Sequence, residues 1–341
     1  MKELEALKLK NIYNIEGVRF FRRTDGEEVH PRDFFDEYSV LEELIELNRK
    51  AVYSRKRMAQ TPVDPRIQED EERNHLASEA RAKLEQADYT AEINYGSKKE
   101  TLDVRLRTNF DDDLLKKPTI VQISRRSFPM LILREARTYS LNDLVPFRKM
   151  DRRTKELYKE GELEENRLNI IPEPTLIKSL EALYSKGYPR FTVPLKILFD
   201  EGEKLYYIRP FVGTSLRDVS FNVEEAAKYL GIVHSYGLHE RFDRTPEQYV
   251  MYPPDAEDLP KEESGSRTLI RNIDPEFFVF STKPQFLPKD EENFLNVMDS
   301  IYPIFNSEEN KKRVREIYRR VRNLYSWNSK ALAIELKRLL G

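Results

Sequence analysis

The chain has no cysteine, only 11 glycines among 341 residues, one tryptophan and four histidines. The first absence excludes disulfides, thiolate zinc sites and cysteine nucleophiles together, and it fits a reducing compartment. The scarcity of glycine argues against every repeated-glycine loop that lets backbone amides approach a triphosphate, Walker-type and Rossmann signatures included. His30, His75, His234 and His239 show no metal-ligand spacing beyond the last two, and no Gly-x-Ser-x-Gly elbow occurs. No uncharged run approaches the roughly 18 residues that a membrane span needs. Met1-Lys2-Glu3-Leu4-Glu5 carries no apolar signal region, so the reading is a cytoplasmic protein without a membrane partner. Charged residues make up 35% of the chain but balance to a formal net charge of −2, so no global field selects nucleic acid.

What is present is a change of texture along the chain. Val18, Phe20 and Phe21 suggest a short strand turning at Asp25-Gly26. From Pro31 to Gln60 apolar residues recur at helical spacing, with acidic residues early and basic residues late, as the helix dipole prefers. Thr61-Pro62-Val63-Asp64-Pro65 breaks that helix, and a second one runs to Ala87. Alternation then takes over. It predicts one hairpin around Gly96-Ser97-Lys98-Lys99 and another around Arg125-Arg126-Ser127. Ser140 to Pro172 is charged and locally helical, long enough to read as an insertion. A helix over Pro174 to Lys186 ends at Gly187, a third hairpin pairs Val193–Phe199 with Leu205–Phe211, and Val223 to Ser235 is helical again. The tail is helical, broken at Pro303 and near Trp327. Between Ser307 and Ser326 it sets Val314, Ile317, Tyr318, Val321, Leu324 and Tyr325 on one face and seven Lys or Arg residues on the others. The fold class expected is α+β: an N-terminal helical extension over residues 1–88, a sheet-containing part over 89–212 with the insertion at about 140–172, and a mainly helical part over 213–341.

The candidate chemistry lies between His234 and Asp274. His234-Ser235-Tyr236-Gly237-Leu238 leads to Arg241-Phe242-Asp243-Arg244, then to Gln248, and further on to Ile273-Asp274-Pro275-Glu276. Upstream stand Met130-Leu131-Ile132-Leu133-Arg134-Glu135-Ala136 and Phe211-Val212-Gly213-Thr214-Ser215-Leu216. In this order the chain resembles the protein-kinase-like superfamily over roughly residues 119 to 281. The resemblance implies a kinase-like two-lobed fold, with a small antiparallel sheet lobe and a mainly helical lobe. Asp243 matches the catalytic Asp that orients an acceptor hydroxyl. Gln248 and Asp274 match the residues that hold Mg²⁺ on ATP. Arg134 stands where the family has the lysine that contacts the nucleotide phosphates, and a planar fork replaces a point charge. Glu181, or else Glu173, stands where a helix glutamate pairs with that residue. The chain departs from the pattern in three further places: Arg241 replaces the usual histidine before Asp243, Pro275-Glu276 replaces Phe-Gly, and no glycine-rich loop precedes Arg134.

Three functions follow as expectations. The first is a divergent phosphotransferase moving a phosphoryl group from Mg-ATP to a hydroxyl acceptor, its partners a nucleotide and that acceptor. The second is an inactive kinase-like module that binds a protein partner, to which the departures and the helices at about 31 to 87 point. The third is nucleic-acid binding through the basic C-terminal helix, although an apolar stripe at helical spacing is more often core than a stacking platform. Asp111-Asp112-Asp113 reads as a solvated acidic turn.

Overall fold

The alternating pattern after residue 88 becomes strands, and those strands form a sheet larger than the hairpins alone predict. The structure is a computed structural model that describes residues 12–35, 89–95, 98–106, 110–111, 114–115, 120–125, 128–137, 171–202, 204–212, 223–240, 249–251, 270–273, 275, 278–280 and 307–340. The predicted helix beyond residue 35, the helix to Ala87 and the insertion at 140–170 lie outside them. The architecture is α+β, and the chain divides into two compact units, Met1–Glu135 with Tyr206–Phe211, and Ala136–Leu205 with Val212–Gly341.

In the first unit a 3-10 turn, Ile12–Asn14, leads into β1, Ile15–Arg22, which folds back on β2, Glu28–Val29. The reversal needs a left-handed residue, and Gly26 supplies it at φ +72°. The hairpins follow as predicted: β3, Tyr89–Tyr95, pairs with β4, Lys98–Leu106, and two short strands, β5, Phe110–Asp111, and β6, Leu114–Leu115, come next. β7, Ile120–Arg125, then pairs with β8, Phe128–Arg137. Sequence alone showed β1 as a solitary strand. It pairs antiparallel with β3 from Ile15↔Tyr95 to Arg22↔Tyr89, so the sheet runs β2-β1-β3-β4-β7-β8. One face is apolar, with Phe20, Ala91, Ile93, Val104, Val121, Ile123 and Leu133 buried. Phe34, in the helical turn at 31–35, closes that core with edge-to-face contacts to Phe20 at 5.3 Å and Tyr89 at 4.8 Å.

The third hairpin comprises β9, Lys196–Asp200, and β10, Lys204–Pro210, turning at Gly202 with φ +79°. β10 contributes Tyr206–Pro210 to the first unit, beside β8 in its sheet.

Among the described residues the second unit holds four helices: α1, Glu173–Ser185; α2, Val223–Ser235; α3, Glu308–Leu324; and α4, Asn328–Leu340. α1 buries Leu176, Ile177, Leu180 and Leu183, the stripe expected from their spacing, and Gly187 at φ +86° ends its last turn. α3 packs on α2, and α4 packs on α1. The Ser307 side chain caps α3 by accepting from the Asn310 N–H. Val314, Ile317, Tyr318 and Val321 of α3 are buried as the stripe predicts. Leu324 is 39% exposed, because it lies at the margin of the stripe and the helix stops there. Among the described residues no helix is long and apolar enough to cross a membrane.

Gly231 of α2 lies directly against the α3 backbone. A Cβ placed on it would lie 3.0 Å from both the Tyr318 carbonyl oxygen and the Val321 Cβ, which are backbone and core and cannot swing aside. Gly231→Ala is therefore expected to lower unfolding stability by about 1–3 kcal/mol, the range for overpacking, read as a reduced urea midpoint.

α4 is clipped to the end of α1 by Glu335, whose carboxylate accepts from Lys186 at 2.6 Å and from Arg338 at 2.8 Å. The Lys186 hydrogen bond, then that of Arg338, holds this carboxyl below its usual range. A depressed carboxyl contributes stability that is present above the unfolded value and lost as pH falls through the folded one. Glu335→Gln should accordingly destabilise the protein at neutral pH, and the gap from the parent should close in acid. Unfolding curves recorded across that range would refute this if the gap stayed constant.

Candidate functional site

Local sequence explains how α2 delivers the chain to the candidate site. The Gly237 N–H donates to the His234 carbonyl at 3.0 Å, and Gly237 adopts φ +73°, so the helix stops in a tight reversal. Three side chains around this turn are fixed from distant parts of the second unit. His234 Nδ1 and Tyr318 Oη of α3 lie 2.8 Å apart. Asn328 Nδ2 of α4 donates to Ser235 Oγ at 2.9 Å, and Ser235 Oγ donates onward to the Ile232 carbonyl. The Tyr236 hydroxyl donates to the Pro189 carbonyl at 2.8 Å, and burial pushes its phenol well above the ordinary value, so it remains a neutral donor.

After the turn come two short antiparallel pairs, one nested in the other. β11, Leu238–Glu240, pairs with β14, Phe278–Phe280, and β12, Tyr249–Met251, pairs with β13, Ile270–Asn272. The register sets Glu240 opposite Phe278 and Tyr249 opposite Asn272. The two connections 241–248 and 273–277 thus begin and end at ladder partners.

β13 is gripped on its other edge as well. The Asn272 N–H donates to the Phe191 carbonyl at 2.8 Å, and its carbonyl accepts from the Val193 N–H at 3.0 Å, forming a parallel bridge with Thr192. Both backbone groups of Asn272 point to that side, so its pairing with Tyr249 is a non-hydrogen-bonded one. Thr192 is itself held, its hydroxyl 3.3 Å from the Tyr184 hydroxyl of α1. The backbone two residues before Asp274 is therefore fixed from both sides.

Asp243, Gln248 and Asp274 lie outside the described residues. Arg134 lies on β8 in the first unit and is only 3% exposed. Glu181 lies on α1 in the second unit, where its carboxylate accepts from the Ile197 N–H of β9 at 3.3 Å. Lys178 makes a parallel tie to Asp200 at 2.7 Å. Glu173, the alternative to Glu181, is buried in the first turn of α1. Among the described residues no group of three or more His, Asp or Glu side chains is gathered as a metal would need. Val314, Ile317, Tyr318 and Val321 of the α3 stripe are committed to the core, whereas Trp327 at the α3–α4 turn is 53% exposed. Sequence reasoning did not single out Asn272, Thr192 or Asn328 as supports. Asn272 bridges to Thr192, far back in the chain, and Asn328 reaches Ser235 across 93 positions, pairings that no local pattern encodes.

No family model matches this chain, and none of the curated proteins compared with it matches either.

Burial raises the Glu181 carboxyl above its usual value, against the opposing pull of the Ile197 N–H and the Lys196 charge. A raised carboxyl favours the fold while protonated, and that contribution is lost as pH rises through the folded value. Glu181→Gln mimics the protonated form and should match the parent in acid, then gain on it as pH approaches neutrality. Thermal midpoints of the two proteins that run parallel across pH 4–7 would refute the assignment.

Proposed function

We propose that this chain is a divergent phosphotransferase of kinase-like, two-lobed design that moves a phosphoryl group from Mg-ATP to a hydroxyl acceptor. The observation that carries this reading is the nested pairing. Glu240↔Phe278 and Tyr249↔Asn272 tie together the ends of two connections, and on those connections the sequence carries Asp243 and Gln248 in one and Asp274 in the other. A short loop cannot travel far from anchored ends, so ladder-paired anchors favour convergence of two carboxylates and an amide. Such hard oxygen donors suit Mg²⁺.

The order of elements adds support: a strand with Arg134, then α1, the β9–β10 hairpin, α2 with its His234-to-Gly237 turn, and the nested pairs. In this reading Asp243 takes the proton of the acceptor hydroxyl as the acceptor oxygen bonds to the γ-phosphorus and the bond to the leaving phosphate oxygen breaks. Gln248 and Asp274 would hold the magnesium ion, which neutralises charge on the phosphates. Arg134 offers its guanidinium to the phosphates, while Glu181 keeps α1 on β9. The acceptor is left open by the residues at hand, since acceptor pockets are built from loops.

The reading predicts that Mg-ATP raises the thermal midpoint by binding the native state, and that Asp274→Asn removes this shift. Asp243→Asn should retain the shift and lose transfer. Absence of any shift in the parent protein over a wide Mg-ATP range would overturn the proposal. A shift without transfer, alongside a stable complex with another protein, would instead favour the inactive interaction module.

A further inference from the structure

We propose that the exposed faces of α3 and α4 form a docking surface for single-stranded nucleic acid, with a row of cations along the phosphates and Trp327 stacked on a base. Positive charge is concentrated here. Residues 307–340 hold ten Lys or Arg against four Glu, in a chain whose formal net charge is −2. Two of those Glu stand in the first turn of α3, and Glu335 is buried, accepting from Lys186 and Arg338. Among the cations, Lys311, Arg313 and Arg338 are taken by Glu308, Glu224 and Glu335. Lys312, Arg319, Arg320, Lys330 and Lys337 are exposed and enter no ion pair among the described residues. Helical periodicity orders the surface. Lys312, Arg315, Arg319 and Arg322 recur at i, i+3, i+7 and i+10, so they form one row about 15 Å long, a cation for each turn of α3. Trp327, Lys330, Ile334 and Lys337 repeat that spacing along α4, and all four are exposed. The first row runs toward the turn at 325–327, and the second starts from it.

Trp327 is 53% exposed, and Tyr325, which packs at the edge of the core, meets its ring edge-to-face at 5.9 Å. An aromatic ring so placed is a stacking platform oriented before the base arrives. The chemistry selects among polyanions. A membrane surface takes a helix through its apolar face, and α3 and α4 bury theirs: Val314, Ile317, Val321, Leu332 and Leu336 lie in the core. An acidic protein surface offers anions but no bases. A repeating cation matches a repeating phosphate, and the indole beside it matches an unpaired base, which a duplex keeps inside its own stack.

The surface uses no residue of the connections 241–248 and 273–277. Trp327 is the only tryptophan in the chain, so its fluorescence reports on the site directly. The full chain in EDTA is titrated with oligothymidylate and oligouridylate, labelled strands being followed by anisotropy and unlabelled ones by tryptophan emission. Both are expected to bind and to quench the emission, and affinity should fall with salt at a log–log slope of about −0.7 per phosphate engaged. Lys312→Gln combined with Arg319→Gln should make that slope shallower by about 1.4, the share of two contacts. Trp327→Ala should weaken binding by about fivefold or more, the scale of one stacked base, and leave the slope unchanged. Glu316→Gln, which removes a carboxylate beside the row, should tighten it. Heparin, a polyanion without bases, should displace the strand and leave the emission unquenched. Asp274→Asn should bind the strand as the parent does, which separates this surface from the proposed Mg-ATP site. No binding at low salt, a saturated complex with unquenched emission, or equal binding by the parent and a folded Trp327→Ala protein overturns the assignment. Anionic vesicles that shift the emission when oligonucleotides do not would overturn it in favour of a membrane surface.

Discussion

The backbone of Asn272 is the point on which the second unit turns. Both of its polar groups are taken by residues 191 and 193, its opposite edge lies against Tyr249, and its side chain is buried. A strand of three residues has too few ladder bonds to hold itself, so its position depends on being gripped from two sides. Through Thr192 and the Tyr184 hydroxyl this grip reaches α1, and through Tyr249, whose ring stands edge-to-face with Tyr229, it reaches α2. The order is therefore helix, bridge, strand, strand, helix, and the bridge at its centre joins segments far apart in sequence.

The α2 turn is supported in a similar way. His234, Ser235 and Tyr236 are consecutive, and each is held by a different segment: α3 through Tyr318, α4 through Asn328, and the 188–191 stretch through Pro189. Close packing at Gly231 lets α3 come near enough for the Tyr318 hydroxyl to reach the imidazole. Buried hydrogen bonds of this kind are costly to leave half-made, which makes the turn rigid where the chain enters the candidate site. The basic outer faces of α3 take no part in this, because the helix spends its apolar side on α2.

The phosphotransfer site proposed uses connections whose ends are tied by ladder pairing and relies on oxygen donors suited to a hard cation. The polar face of the first unit's sheet makes a different demand, since alternation there sets the Arg134 guanidinium where an apolar side chain would ordinarily be buried.

Periodicity made much of the architecture legible. Residues 89–95, 98–106, 120–125 and 128–137 fall in stretches read as alternating, and they are strands; Leu176, Ile177, Leu180 and Leu183, or Val314, Ile317, Tyr318 and Val321, recur at helical spacing, and they are the buried faces of helices. Glycines at 187 and 237 marked helix ends because no other residue takes a positive φ there cheaply. What the local pattern did not reveal was partnership. That β1 extends the main sheet, that Glu181 serves the Ile197 amide, that Asn272 is bridged to Thr192 and that Arg105 shares a row with Gln122 are all decided by register and packing between distant segments. The sequence by itself determined which stretches are strands and helices and which faces they bury, since those follow from side-chain spacing along one chain. Only the tertiary structure decided which polar groups meet, because a hydrogen bond depends on where two backbones are brought together and not on how far apart they are in sequence.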